Sequence, residues 1–199
     1  MWTMRLQPII VPGWNGSGPE HWQSRWAEQL ARATRVEQRD WAQPARAEWV
    51  HALTVAIDEA TRPPLLVAHS LGCITVAHLP LPVRQKVAGA LLVAPADVER
   101  ENAPPALADF APIPRTAFPF PTIVVASTDD PYCPLARAEA MARDWGADFV
   151  TLANAGHINT ASGLGDWAYG KRLLATLRRR CSWRVPVPVH RVAAMPAIH

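Results

Sequence analysis

Leu65-Leu66-Val67-Ala68-His69-Ser70-Leu71-Gly72-Cys73 decides how the rest of the chain is read. An apolar run suited to a buried strand reaches a serine, and a helix-forming segment, Leu71 to Leu79, follows at once. A strand that turns sharply into a helix with serine at the apex strains that residue's backbone and lifts its hydroxyl clear of the sheet. Ala68 and Gly72, two before and two after the serine, are small enough for strand and helix to pass closely. The usual pattern has glycine at both places, so Ala68 is a departure. The same residues also suit a buried strand followed by a helix that serine merely caps. The remaining loops of the chain discriminate between the two.

Upstream, Leu6 to Pro12 reads as a first strand, and Pro12-Gly13-Trp14-Asn15-Gly16-Ser17-Gly18 as a glycine-rich loop. Pro19 is placed to open a helix in which Trp22, Trp26 and Leu30 recur at helical spacing. The loop lacks the Lys-Ser/Thr ending of a phosphate-binding loop and the glycine spacing of a dinucleotide site, so nucleotide binding is not expected. Such a loop can instead turn a backbone N–H toward a developing oxyanion. Thr34 to Arg39 is a short strand. Ala45 to Thr61 is a helix with Trp49, Leu53 and Ile57 near one face, stopped by Pro63-Pro64.

Downstream, Val87 to Val93 is a buried strand, and Val83 to Lys86 before it is a short turn or helical piece. Pro95 to Phe120, with Pro104, Pro105, Pro112, Pro114 and Pro119, has no periodicity and would cross the open end of the sheet, as a small lid or a plain surface excursion. Pro121 to Ser127 and Ala147 to Leu152 are strands, Leu135 to Trp145 and Gly165 to Leu177 helices. Strands alternating with helices predict an α/β protein: a three-layer α/β/α sandwich around a mostly parallel sheet. In such sheets the loops at the carboxyl ends of the strands gather along one edge, where ligands bind.

Composition bounds the reading. A chain of 199 residues with 49% apolar content can bury one sizeable core. The expected organisation is one domain over 1–179 and a Pro/Arg-containing tail over 180–199. No apolar run approaches the roughly eighteen residues of a membrane span, and Met1 to Leu6 resembles no signal peptide. Cys73, Cys133 and Cys181 fit neither a zinc spacing nor a disulfide framework, so a reducing, cytoplasmic setting is expected. The net charge of +3 conceals an asymmetry. Arg178, Arg179, Arg180, Arg184 and Arg191 lie in the last 22 residues, which hold no acid, leaving 15 basic against 17 acidic residues in 1–177. A slightly acidic body argues against nucleic-acid binding.

Three strand-end loops offer Ser70, Asp130 and His157, in the chain order of α/β-hydrolases. A serine hydroxyl is a poor nucleophile at neutral pH and needs a base such as imidazole. The imidazole needs a carboxylate on its other nitrogen to hold its tautomer and stabilise the imidazolium. Of Asp129 and Asp130, one caps the turn and the other serves the histidine. His69 adjoins Ser70, and successive strand side chains diverge, so it reads as packing under the turn. His21 either lines the site or is a capped surface histidine; His51 and His78 read as helix-surface residues. Oxyanion donors are expected from the Leu71 N–H and from Trp14 or Asn15. Trp14, His21 and Trp41 are candidates for the pocket wall. Cys73, one helical turn after Ser70, reads as packing. No metal or organic cofactor is required.

Four motifs together carry a family resemblance: Val11 to Gln23 (VPGWNGSGPEHWQ), Ala68 to Gly72 (AHSLG), Ser127 to Tyr132 (STDDPY) and Ala155 to Asn159 (AGHIN). Over about residues 5–178 the chain resembles the small serine hydrolases of the retinoblastoma-binding protein 9 type, compact α/β-hydrolases with a reduced cap. The resemblance implies Ser70 as nucleophile, His157 as base and Asp130 as acid. The spacing from Asp130 to Cys133-Pro134 resembles the family's acid loop and favours Asp130 over Asp129. It also implies hydrolysis of small carboxylic esters, with amides and thioesters as alternatives. A competing function is a hydrolase-fold protein-binding module with little catalysis, although no Leu-x-Cys-x-Glu ligand motif is present.

Overall fold

The computed structural model describes residues 6–182. Six strands form one sheet in the order β2-β1-β3-β4-β5-β6. They are β1 (Gln7–Val11), β2 (Thr34–Arg35), β3 (Pro64–His69), β4 (Gly89–Val93), β5 (Thr122–Ser127) and β6 (Asp148–Leu152), and every pairing is parallel. Parallel neighbours need crossovers. Helices α1 (Trp22–Gln29), α2 (Arg46–Asp58), α3 (Leu71–Ala77) with α4 (Leu81–Arg84), and α5 (Leu135–Asp144) supply all but one; the β4–β5 crossover is the irregular segment 95–120, and α6 (Ala168–Ser182) follows β6.

The four inner strands, β1, β3, β4 and β5, are buried throughout and mainly apolar because both faces of the sheet are covered there. Successive side chains alternate sides. Ile9, Leu66, Leu92 and Val124 go to one core with Trp49, Leu53 and Ile57 of α2, the buried side of α3, and Ala138 and Met141 of α5. Ile10, Val67, Leu91 and Val125 go to the other with Trp22 and Trp26 of α1 and Leu174 and Leu177 of α6. The result is the three-layer α/β/α sandwich. Among the described residues no helix is long and apolar enough to cross a membrane.

Several boundaries differ from expectation, each for a local reason. Helix α1 starts at Trp22 because His21 is its cap, the ring Nδ1 accepting from the Gln23 N–H at 3.1 Å; Pro19 lies in the turn before it. Strand β2 stops at Arg35, since Val36 makes the last bond to β1, to the Ile10 carbonyl at 2.9 Å. Helix α6 starts at Ala168 because Trp167 takes a positive φ of 42° and turns its ring under Gly170, where a Cβ would overlap it. That ring stacks on Trp26, centroids 5.8 Å apart, and lies tilted against Trp22 at 4.9 Å. The helix then continues past residue 180 to Ser182, burying Cys181. The remainder of the expected tail lies outside the described residues.

Residues 95–120 form a wall, anchored from below. A 3-10 turn at Pro105–Phe110 buries Leu107 and Phe110 in the α2/α3 core, and Ile113 follows them. Asp109 accepts from the Arg46 N–H at 2.7 Å at the start of α2, and Glu99 accepts from the Ile113 N–H at 2.8 Å. His78, expected on a helix surface, is half-buried and donates from Nε2 to the Phe110 carbonyl at 2.9 Å.

Candidate active site

Ser70 stands where β3 turns into α3, with φ 54° and ψ −123°. A positive φ in a non-glycine residue costs of order 1–3 kcal/mol and persists only where the surroundings enforce it. Here the Ser70 N–H is tied to the Val93 carbonyl at 3.0 Å. The tightness of the turn explains Gly72: a Cβ there would lie 2.4 Å from the Val11 carbonyl oxygen.

His157 reaches Ser70 from the loop after β6. Its Nε2 lies 2.9 Å from Ser70 Oγ, and its Nδ1 lies 2.8 and 3.0 Å from the two Asp130 oxygens. An ionised carboxylate only accepts, so Nδ1 carries the hydrogen and the Nε2 lone pair is left for the serine hydroxyl. The Asp130 side chain is 1% exposed, and Oδ1 also accepts from the Tyr132 N–H at 2.9 Å. Asp129 does the other job. Its Oδ1 accepts from Ser127 Oγ at 2.6 Å and from the Gly156 N–H at 2.8 Å, joining the β5 loop to the histidine loop.

Two further imidazoles lie behind His157. His69 does more than pack: its Nε2–H donates to the His157 backbone carbonyl at 2.9 Å. The ring sits 4.9 Å from that of His157 and 4.8 Å from that of His21. Burial, followed by the charges of His157 and His21, pushes the His69 pKa well below the ordinary histidine value. His21 is buried and not a surface histidine, and its pKa falls to about 4, chiefly by burial. Its Nε2 is buried without a hydrogen-bond partner. Both rings are neutral at pH 7.

The expected oxyanion donors separate. The Asn15 N–H donates to the Trp41 carbonyl at 3.1 Å and so is not available. The Trp14 and Leu71 N–H groups have no acceptor among the described residues. Gly13 brings their segments together: a Cβ on it would lie 2.7 Å from Ser70 Cβ and 3.3 Å from the Leu71 nitrogen. Trp14 and His21 line the cavity of about 470 Å³ above Ser70. Trp41 does not. Its ring turns away, edge-on to Trp49 with centroids 5.6 Å apart.

A family model described as serine hydrolase matches residues 8–176. The chain belongs to the serine hydrolase family. No curated protein matches it. Among solved structures, this serine hydrolase is similar to a YdeN-like hydrolase of Pectobacterium atrosepticum: 33% identity, 89% of this chain and 92% of that one covered, TM-score 0.79. The ydeN gene product of Bacillus subtilis (19% identity, 87% and 98% covered, TM-score 0.67) shares the fold. So does a thermophilic esterase of Thermogutta terrifontis (17%, 90% and 91%, TM-score 0.66).

The serine hydrolase site also contains residues that sequence reasoning gave no role. Tyr132, two after Asp130, sets its ring edge-on to His157 at 4.7 Å. Arg100, Pro104 and Leu107, from the irregular segment, form one wall of the cavity. Only the adjacency of Tyr132 to the acid could have drawn attention to it. Cys73 and Cys133 are buried, and burial raises both thiols, that of Cys133 to about 12. Among the described residues no cluster of His, Cys, Asp and Glu could hold a metal ion.

Proposed function

We propose that this serine hydrolase cleaves small carboxylic esters through an acyl-enzyme on Ser70, as a cytoplasmic enzyme whose catalytic domain is the 1–179 body and which needs no metal or organic cofactor. Ser70 Oγ attacks the ester carbonyl carbon while His157 Nε2 takes its proton. Asp130 stabilises the imidazolium, and the Leu71 and Trp14 N–H groups receive the oxyanion. Collapse of the tetrahedral intermediate expels the alcohol, protonated by His157. Water, deprotonated by the same imidazole, then attacks the acyl carbon and releases the acid. The observation that carries this reading is the series of contacts from Ser70 Oγ through His157 to Asp130, 2.9 and 2.8 Å long, at the base of an open cavity. The motif resemblance to the retinoblastoma-binding protein 9 type supports the same chemistry.

The test is active-site labelling. A fluorophosphonate probe should label Ser70, and Ser70→Ala should lose both labelling and hydrolysis of 4-nitrophenyl acetate. Undiminished hydrolysis in the variant would remove the assignment.

A further inference from the structure

We propose that the cavity selects esters bearing a free carboxylate, and that Arg100 receives that carboxylate. The proposal rests on the reading of Ser70 as nucleophile. Arg100 is the one Asp, Glu, Lys or Arg side chain among the described residues lining the cavity. It belongs to a cluster that is neutral in sum but polarised. Arg137 takes the two nearby carboxylates, with Nε 3.4 Å from Asp97 and the guanidinium paired to Glu99. Asp97 Oδ1 is further engaged by the Glu99 N–H at 3.1 Å. Arg100 has no carboxylate partner among the described residues.

Arg100 is nonetheless held in place. Its Nη1 donates to the Asp97 backbone carbonyl at 2.9 Å, and its guanidinium lies over the Tyr132 ring, 5.5 Å from the centroid. The other edge of the relation is Tyr132 against His157 at 4.7 Å. One aromatic ring therefore separates a positioned cation from the base. The remaining guanidinium donors suit the planar, bidentate geometry of a carboxylate. A neutral substrate would leave this charge in a partly enclosed cavity with no carboxylate paired to it.

The experiment uses two matched pairs, each an anionic ester and its neutral methyl ester. The first is 4-nitrophenyl hemiglutarate against methyl 4-nitrophenyl glutarate, with the charge on the acyl side. The second is 4-acetoxybenzoate against methyl 4-acetoxybenzoate, with the charge on the leaving group. The readout is the ratio of kcat/KM, anionic over neutral, which cancels any loss of folded protein. The full-length wild-type protein should favour the anionic member of at least one pair by about tenfold at low salt, the scale of one charge-assisted hydrogen bond. High salt should shrink the ratio. Arg100→Gln should bring it to about one, and Arg100→Glu below one. A wild-type ratio of one or less in both pairs overturns the proposal, as does a preference that survives in Arg100→Gln. In either case Ser70 would still be labelled by fluorophosphonate, so the nucleophile reading stands or falls separately.

Discussion

Gly13→Ala is a one-methyl change outside the triad that should nearly silence the enzyme. Gly13 has no positive φ, so its backbone tolerates alanine; only space forbids it. The added Cβ would sit 2.7 Å from Ser70 Cβ and 3.0 Å from the His69 carbonyl oxygen. Carbon atoms pack best about 3.5–4.0 Å apart, so the loop must retreat from the serine turn by about 1 Å. The Trp14 N–H is on the next residue and moves with it. An oxyanion donor works at about 2.7–3.1 Å, and losing one costs about 10²–10³ in kcat, or about 2.7–4 kcal/mol. Overpacking itself costs about 1–3 kcal/mol of stability, which a domain of this size survives. Steady-state hydrolysis of 4-nitrophenyl acetate should show the loss in kcat with little change in KM, while thermal unfolding stays cooperative at a lower midpoint. A folded variant with kcat within threefold of wild type would refute the assignment of this loop to the oxyanion.

The two adjacent aspartates should separate cleanly. In Asp130→Asn the Tyr132 N–H keeps the remaining oxygen, so the amide NH2 replaces Oδ2 against His157 Nδ1 and favours the wrong tautomer, which should lower kcat by about 10⁴; in Asp129→Asn the oxygen can still accept from Ser127 and Gly156, and the loss should be less than about tenfold. Comparable losses in both would contradict the division of labour. Stability should fall in acid. His21 is depressed from 6.5 to about 4, so the unfolded chain gains a proton there that the folded one resists. This contribution is fully present above about pH 6.5 and is lost as pH falls toward 4, by about 3 kcal/mol in all, with His69 acting in the same direction. Urea midpoints across this range should fall less steeply for His21→Gln; identical slopes would show that His21 does not carry the effect. Iodoacetamide at pH 8 should leave Cys73 and Cys133 unmodified in the native protein and label both after denaturation.

What could be read without coordinates had a local signature. The alternation of elements was legible because doubly buried strands such as Leu65 to Ala68 are continuous apolar runs between turn residues. Ser70, Asp130 and His157 could be singled out because each lies in the loop at the end of a strand, although β6, before His157, is a partly exposed edge strand. What escaped depends on neighbours distant in the chain. The bond from His69 to the His157 carbonyl spans 88 residues, and nothing near His69 announces it. Trp41 and Trp14 look alike as wall candidates until Trp49 captures one of them. Asn15 fails as a donor only because the Trp41 carbonyl lies opposite. The segment from Pro95 shows neither the α nor the strand period because its one regular piece is a short 3-10 turn, where Leu107 and Phe110 share a face three residues apart, and Ile113 is buried beyond it in irregular chain.

Gln23 of α1 is wholly buried, and its side chain makes three bonds. Its Nε2 donates to the Val11 carbonyl at 3.2 Å and the Val67 carbonyl at 3.0 Å, while its Oε1 accepts from Ser17 Oγ at 2.7 Å. One amide thus clasps the outgoing ends of two adjacent strands and the far side of the glycine-rich span from Gly13 to Gly18. A stretch so rich in glycine would otherwise wander through many shapes in solution. Clasped this way, it meets an arriving ester already in its working shape, and the entropy of ordering it falls on folding and not on each turnover.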